Sequence, residues 1–250
     1  MTKKLEKAFD IYLKNYDMNV KPIRYKYHHS YRVKELMKKL ALMLNLSKDE
    51  IEIAEVIGLL HDVGRFEQIK KYGVCSDIRS GIDHADESCI YLFDNNHIKD
   101  FYDKEENYEI IKDAIKNHNK YIIDNNLKDK SLFFTKMIRD MDKLDIYKVL
   151  TDEYEFEYNI NEVSDKVIEE YSKKKSMDVH LRNTKSDSIY TYFAFIYDIN
   201  YKESFILLKE GKYLENFCNS VKTTEDSKEA FEKLKNDALD YINSKIEANN

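Results

Sequence analysis

The segment VIGLLHDVGRF, residues 56–66, carries two titratable side chains at the end of an apolar run. Val56 to Leu60 contain no polar side chain, and His61 and Asp62 follow directly. A polar or charged group buried among apolar side chains costs on the order of 2 to 7 kcal/mol when it lacks a partner. The sequence therefore predicts that something binds His61 and Asp62.

The composition favours helices. The 250 residues include one proline and five glycines, too few for a fold that depends on many tight turns. A chain of this length forms one large core or a core with an extension, and no Pro-rich or Gly-rich linker divides it. We therefore predict an all-α protein that is a single compact unit.

The charge balance argues against a protein that coats nucleic acid. Lys and Arg number 41 against 47 Asp and Glu, a net charge of −6, so no duplex nucleic acid is expected as a partner. Residues 1–40 differ, with eleven basic and four acidic side chains. RYKYHHSYRVK, residues 24–34, alternates basic and aromatic residues. This pattern fits a phosphate or single-stranded nucleic acid as a partner. A solvated helix face is the simpler interpretation.

The spacing of the cysteines and the length of the apolar runs indicate the cellular location of the protein. Cys75, Cys89 and Cys218 form no CxxC pattern, which is typical of a reduced intracellular protein. The sequence contains no uncharged run near the roughly 18 residues that a membrane span requires. We expect a cytoplasmic protein without a membrane segment.

Two helices before residue 66 have clear sequence signals. His29 lies four residues before Val33 at the start of an apolar stripe that ends at Leu44, so it points inward, whereas His28 is expected to be exposed. Ser47 and Glu50 form a capping-box pattern that opens the next helix. Gly64 is expected to let the chain leave that helix in a left-handed turn.

Later helices carry further polar groups on apolar faces. Asp83 is predicted to be an N-cap with His84 in the first turn, and His118 extends the stripe of Ile111, Ala114, Ile115 and Ile122. A satisfied core histidine would explain any one of these alone. In SLFFTKMIRDMDKLDIYKVL, residues 131–150, Asp142 and Asp145 share a face with Ile138 and Val149. Asp140 is expected to form a surface ion pair with Lys136.

Helices from five parts of the sequence thus deliver imidazoles or carboxylates to inward faces, and this convergence points to a metal. Four imidazoles and two carboxylates can serve two divalent ions when one carboxylate bridges them. The adjacent pair His61 and Asp62 is the natural bridge. The candidate ligands are His29, His61, Asp62, His84, His118 and Asp142.

Five motifs in order resemble those of the HD-domain superfamily of metal-dependent phosphohydrolases. They are HSYRV at 29–33, HDVGR at 61–65, DHADES at 83–88, NH at 117–118 and RDMDKLD at 139–145. The resemblance implies an all-α HD-domain helical bundle over residues 25–150, preceded by a helical segment over 1–24 and followed by a helical extension over 151–250. It also implies a first ion held by His29, His61, Asp62 and Asp142, and a second completed by His84 and His118.

The resemblance implies hydrolysis of a phosphate ester or anhydride of a nucleotide or small phosphorylated metabolite. Imidazole-rich ligation favours one or two ions of Mn, Fe, Co, Ni or Zn over Mg. Asp62 and Asp145 are the expected catalytic carboxylates, with Asp145 orienting a ligand or accepting a proton. Arg65 and Arg79 are candidates to bind the phosphate.

Two other functions remain open. The same ligands fit a di-iron HD-type oxygenase acting on a small molecule, or an HD sensor or interaction module without catalysis. His97 and His180 lie among polar residues and are expected at the surface. Asp198, among apolar residues, is expected either to reach a substrate cleft or to satisfy a backbone group.

Overall fold

The computed structural model describes residues 2–248, which form two compact units divided between Met141 and Asp142. The predicted all-α class is confirmed, because helices make up nearly all the regular structure of both units. The predicted boundaries after residues 24 and 150, and the prediction that the chain forms a single compact unit, stay predictions.

The first unit consists of eight helices within its described residues and the first half of a ninth. A π-helical turn, Ile90–Asp94, continues the sixth helix. The ninth helix extends past Met141 into the second unit. The helices are α1 Thr2–Leu13, α2 Lys21–Met43, α3 Lys48–Leu60, α4 Val63–Tyr72, α5 Asp77–Ser80, α6 His84–Cys89, α7 Ile98–Phe101, α8 Tyr108–Asn117 and α9 Asp129–Glu153.

Helix α3 is central, as its apolar sequence predicts, since every residue from Ile53 to Leu60 is buried. It packs closely on α2 because Gly58 has no side chain. A Cβ atom at Gly58 would lie 2.8 Å from the Lys34 Cα atom. Lys34 is itself buried and pairs with Glu6 of α1 and Glu35. The contact of α2 with α3 brings the inward face of α2, including His29, against the end of α3.

The capping box at the start of α3 is confirmed. The Ser47 hydroxyl accepts a hydrogen bond from the Glu50 backbone N–H, and the Glu50 carboxylate accepts one from the Ser47 backbone N–H. Lys130 pairs with the same carboxylate at 3.0 Å. These contacts fix the first turn of the helix that ends at His61.

The prediction for Gly64 is wrong. Gly64 lies inside α4, and the glycines with positive φ are Gly73 and Gly81. Its role is close packing, because a Cβ atom there would lie 2.4 Å from the His84 carbonyl oxygen and 2.6 Å from the Ser88 nitrogen. The missing side chain lets α4 approach α6 closely. A left-handed helix end at Gly64 would not require this close approach.

Two other local predictions need correction. Ile122 does not continue the stripe of α8, because the helix ends at Asn117 and Ile122 is 69% exposed. Asp140 is not at the surface. It is fully buried in α9, because successive turns of this helix bury several faces.

The second unit is helical with one small addition. Two three-residue strands, β1 Phe156–Tyr158 and β2 Val221–Thr223, pair in parallel with Phe156 opposite Val221. Strands this short have no readable periodicity, so the sequence did not predict them. The helices are α10 Asp165–Ser172, α11 Lys185–Phe193, α12 Lys202–Glu210, α13 Tyr213–Ser220 and α14 Lys228–Glu247.

Across residues 2–248, no helix combines the length and apolar character needed to cross a membrane.

The capping box gives a stability prediction. Ser47→Ala removes the hydroxyl that satisfies the Glu50 N–H and should lower the free energy of unfolding by about 1 kcal/mol. Ser47→Thr retains a capping hydroxyl and is the matched control. Urea unfolding followed by circular dichroism measures both variants. Equal stability of the alanine and threonine variants would contradict the role given to Ser47.

Candidate metal centre

Four imidazoles and one carboxylate of the first unit meet in its interior. His29 comes from α2, His84 from the first turn of α6 and His118 from the end of α8. His61 and Asp62 lie between α3 and α4. The five residues are at most 4% exposed. The structure therefore confirms the predicted inward orientation of these residues.

A break in the helix lets His61 and Asp62 face the same point. Consecutive residues of a continuous helix diverge by about 100°. Here α3 ends at Leu60, α4 begins at Val63, and Asp62 has φ −108° and ψ 16°. The side chain of Asp62 makes no capping hydrogen bond with α4. The carboxylate is thereby available to the histidines instead of to the helix.

The Asp62 carboxylate lies between two pairs of imidazoles. Its Oδ2 atom is 3.3 Å from His29 Nε2 and 3.5 Å from His61 Nε2. Its Oδ1 atom is 3.2 Å from His84 Nε2 and 3.8 Å from His118 Nε2. Each oxygen thus faces its own pair of ring nitrogens.

Hydrogen bonds at the far ring nitrogens set the tautomers of three histidines. The Nδ1–H of His61 donates to the Gly58 carbonyl at 2.9 Å, and that of His118 to the Ile115 carbonyl at 2.6 Å. His84 Nδ1 lies 2.7 Å from Asp77 Oδ2. With Nδ1 carrying the proton, the neutral ring presents a lone pair at Nε2. All three lone pairs point toward Asp62.

The lone pairs of His84 and His118 face each other across a short gap, with the two Nε2 atoms 3.0 Å apart. In the other pair, His29 Nε2 lies 3.2 Å from His61 Nε2. Two unprotonated nitrogens at such a distance repel unless a cation lies close to both. Burial lowers the pKa of His118 to about 4, so near neutral pH this imidazole is uncharged, as a metal ligand must be.

The carboxylate also fits a cation. Within residues 2–248, the buried Oδ1 atom of Asp62 has no hydrogen-bond partner. Burial raises the pKa of Asp62, but the positive charge of Lys26 is the largest opposing contribution, and the pKa lies well below its ordinary value. An ionised oxygen without a hydrogen bond, surrounded by imidazole lone pairs, is a donor set that a divalent transition metal satisfies.

Two sets of three ligand atoms share this carboxylate. His29, His61 and Asp62 form one set, and Asp62, His84 and His118 form the other, with the atoms of each set within 4.8 Å of one another. Another set within the first unit, Asp77, Asp83 and His84, is already charge-compensated. Arg65 pairs with Asp77 at 2.6 Å and Lys120 with Asp83 at 2.6 Å. The shared carboxylate makes the first two sets the candidate metal centre.

Arg65, Gln68 and Asp77 orient His84. Arg65 donates to Gln68 Oε1 and to Asp77 Oδ1, both at 2.6 Å, and Gln68 also donates to Asp77. Burial raises the pKa of Asp77, but the His84 hydrogen bond and the Arg65 charge hold it below its ordinary value. An ionised Asp77 fixes the His84 ring and increases the basicity of its Nε2 atom.

Two residues that hold the ligand-bearing segments were not predicted from the sequence, and Ser88 is the first. Its hydroxyl lies 3.0 Å from the His61 carbonyl and 2.9 Å from the His84 carbonyl, and it accepts from the Gly64 N–H. Its position four residues after His84, on the same helix face, was the available signal.

The second such residue is Arg139, which is buried in α9. Its NH1 atom donates to the carbonyls of Asn117, His118 and Lys120 at 3.0, 3.3 and 2.5 Å. These bonds fix the turn that presents His118. A buried arginine is a recognisable signal, but the sequence does not say which carbonyls it binds.

The remaining predicted site residues are placed as follows. Arg65 is tied to Asp77, and Arg79 is exposed on α5. Asp142 is the first residue of the second unit and directly follows Met141 in α9, and Asp145 is buried one turn later. The ligand role of Asp142, the catalytic role of Asp145 and the phosphate contacts of Arg65 and Arg79 stay predictions.

Three side chains outside the centre also have clear positions. Asp198 pairs with Lys143 at 2.8 Å within the second unit. His180 is exposed as expected. His97 is partly exposed, stacks on Tyr91 and lies 3.3 Å from Asp100.

The comparison with protein families agrees with this geometry. The family model described as HD domain matches residues 27–156, which are 130 of the 250 residues. The chain belongs to the HD-domain family. HD domains are in general metal-dependent hydrolases that bind divalent metals. Neither a curated protein nor a solved structure gives a significant match.

The adjacent histidines of α2 give a matched test of the metal centre. His29 is buried against His61 and Asp62, whereas His28 is exposed one position earlier. His29→Ala should lower Mn²⁺ affinity by at least about tenfold, and His28→Ala should leave it unchanged. Isothermal titration of metal-free protein measures both. Equal affinities for the two variants would exclude His29 as a ligand.

The orientation of His84 gives a second test. Asp77→Ala removes the acceptor of the His84 Nδ1–H and should weaken metal binding about 10- to 100-fold. Asp100→Ala removes the equivalent partner of the partly exposed His97 and is the control. The same titration applies, and thermal unfolding of both variants verifies folding. Full affinity in Asp77→Ala would show that His84 does not depend on this contact.

Proposed function

We propose that this HD-domain protein is a metal-dependent phosphohydrolase that cleaves a phosphate ester or anhydride of a nucleotide or small phosphorylated metabolite. The observation that carries the proposal is the buried Asp62 carboxylate with one pair of imidazoles at each oxygen. This arrangement suits two divalent ions joined by a bridging carboxylate. Paired ions of that kind are common in enzymes that hydrolyse phosphate esters.

The proposal assigns the donors as follows. His29, His61 and Asp62 would hold the first ion, for which the sequence predicts Asp142 as a further ligand. His84 and His118 would hold the second ion together with Asp62. Ions of Mn, Fe, Co, Ni or Zn, when bound, supply positive charge that activates water and stabilises the oxygens of the reacting phosphate.

The protein's own residues hold this donor set rigid. Backbone carbonyls fix the rings of His61 and His118, and Asp77 fixes His84. Because these hydrogen bonds are internal to the protein, little reorganisation is needed during reaction. Asp145 is proposed to orient a ligand or accept a proton, and Arg79, exposed on α5, is proposed to contact substrate.

A small substrate is favoured over a nucleic-acid strand. The basic and aromatic stretch at residues 24–34 is largely used in packing on α1. Tyr31 donates to Asp10, and its ring packs edge to face on Phe9. Tyr27 packs on Tyr31, and the buried Lys34 pairs with Glu6. Such side chains do not form a row of exposed rings for base stacking.

The experiment combines metal analysis with activity. We expect about one or two equivalents of transition metal in the purified protein, and phosphate release from at least one member of a panel of nucleotides and phosphomonoesters under Mn²⁺ or Co²⁺. His61→Ala should lose both the metal and the activity. His180→Ala, which changes an exposed histidine of the second unit, is the control and should match the wild type.

Two results would overturn the proposal. Iron-dependent consumption of dioxygen without phosphate release would indicate a di-iron oxygenase. Retained metal with neither phosphate release nor dioxygen consumption would indicate a sensor or interaction module.

A further inference from the structure

Lys26 is a cation at the metal centre that the sequence motifs did not single out as a site residue. It lies on α2 three residues before His29, so the two side chains leave adjacent parts of one helix face. Its Nζ atom is 2.5 Å from Asp62 Oδ2. The lysine side chain is 20% exposed, whereas that of Asp62 is 2% exposed. Lys26 therefore connects the buried carboxylate with solvent.

The ammonium group shares its acceptor with the first proposed ion. Asp62 Oδ2 also faces His29 Nε2 and His61 Nε2, at 3.3 and 3.5 Å. A divalent ion bound by these three atoms would repel the Lys26 ammonium and compete with it for Oδ2. The four-carbon side chain of lysine is flexible, and its charge is a compact point charge rather than a fixed planar group. Lys26 can therefore exchange Asp62 for another anion.

We propose that Lys26 is a phosphate-binding residue, which neutralises Asp62 in the metal-free protein and contacts the phosphate of the substrate once the first ion is bound. The proposal rests on the proposed phosphohydrolase function. A phosphate oxygen is a strong acceptor for an ammonium group. The substrate phosphate would thus lie between the metal centre and Lys26 and relieve the repulsion between the two positive groups.

Arg65 is less suited to this role. It donates to both Asp77 and Gln68 at 2.6 Å. Both bonds come from its NH1 atom, so a movement of the guanidinium toward substrate would disturb the contacts that support the orientation of His84. Lys26 can turn to a phosphate by giving up its contact with Asp62 Oδ2, and a bound metal would replace the ammonium at that oxygen. The phosphate contact predicted for Arg65 is therefore reassigned to Lys26.

The test uses Lys26→Gln with Arg24→Gln as the matched control. Both substitutions remove one positive charge from the same turn of α2, but Arg24 is exposed and its side chain lies 3.4 Å from the Met18 carbonyl, away from Asp62. Isothermal titration measures Mn²⁺ binding to metal-free protein and then inorganic phosphate binding to the Mn²⁺-loaded protein. Circular dichroism and thermal unfolding verify folding.

We expect Lys26→Gln to bind Mn²⁺ at least as tightly as the wild type, because the competing ammonium is gone. Its phosphate affinity should fall about 10- to 100-fold, as for the loss of a hydrogen bond from a charged donor. Lys26→Arg should recover part of that affinity because it restores the charge. Arg24→Gln should match the wild type in both titrations.

Two results would overturn the role of Lys26. One is phosphate affinity in Lys26→Gln within about twofold of the wild type. The other is Mn²⁺ affinity weakened more than about tenfold, which would show that Lys26 supports the ligands instead of competing with metal. Wild-type protein that binds Mn²⁺ but neither binds nor releases phosphate would instead refute the proposed function, so the two failures are distinguishable.

Discussion

The buried carboxylate of Asp62 is the constraint on which the first unit depends. An ionised group without partners in an apolar interior would be strongly unfavourable. The chain offers it two pairs of imidazoles and one lysine ammonium, from α2, α3, α6 and the end of α8. The central helix α3 delivers this carboxylate into the core. The surrounding helices must therefore supply its partners, and their packing follows from that requirement.

The precision of the centre comes from residues around it. Gly58 and Gly64 let α2 and α6 approach the central segment closely. Ser88 joins the end of α3 to α6, and Arg139 binds three carbonyls of the turn that contains His118. These contacts fix the ring nitrogens of the histidines in positions suited to metal binding, which the inward orientation of the side chains alone would not do. They also make the ligand geometry dependent on helix packing as a whole.

The centre combines fixed and movable parts. His61, His84 and His118 are held at Nδ1 by carbonyl or carboxylate oxygens, so their Nε2 atoms have little freedom. Lys26 reaches the same centre on a flexible side chain that also contacts solvent. A rigid donor set suits ions that must remain bound. A movable cation suits a phosphate that must enter and leave.

The sequence by itself determined the all-α class, the capped start of α3 and the inward orientation of the five clustered side chains, because helical periodicity and capping are local properties of the chain. It did not determine the start of a new helix at Val63, the packing role of Gly64, the burial of Asp140 or the pairing of Lys26 with Asp62. Those depend on residues distant in sequence that meet only after the helices pack. Tertiary structure alone therefore decided which imidazoles share each carboxylate oxygen, and which cation accompanies them.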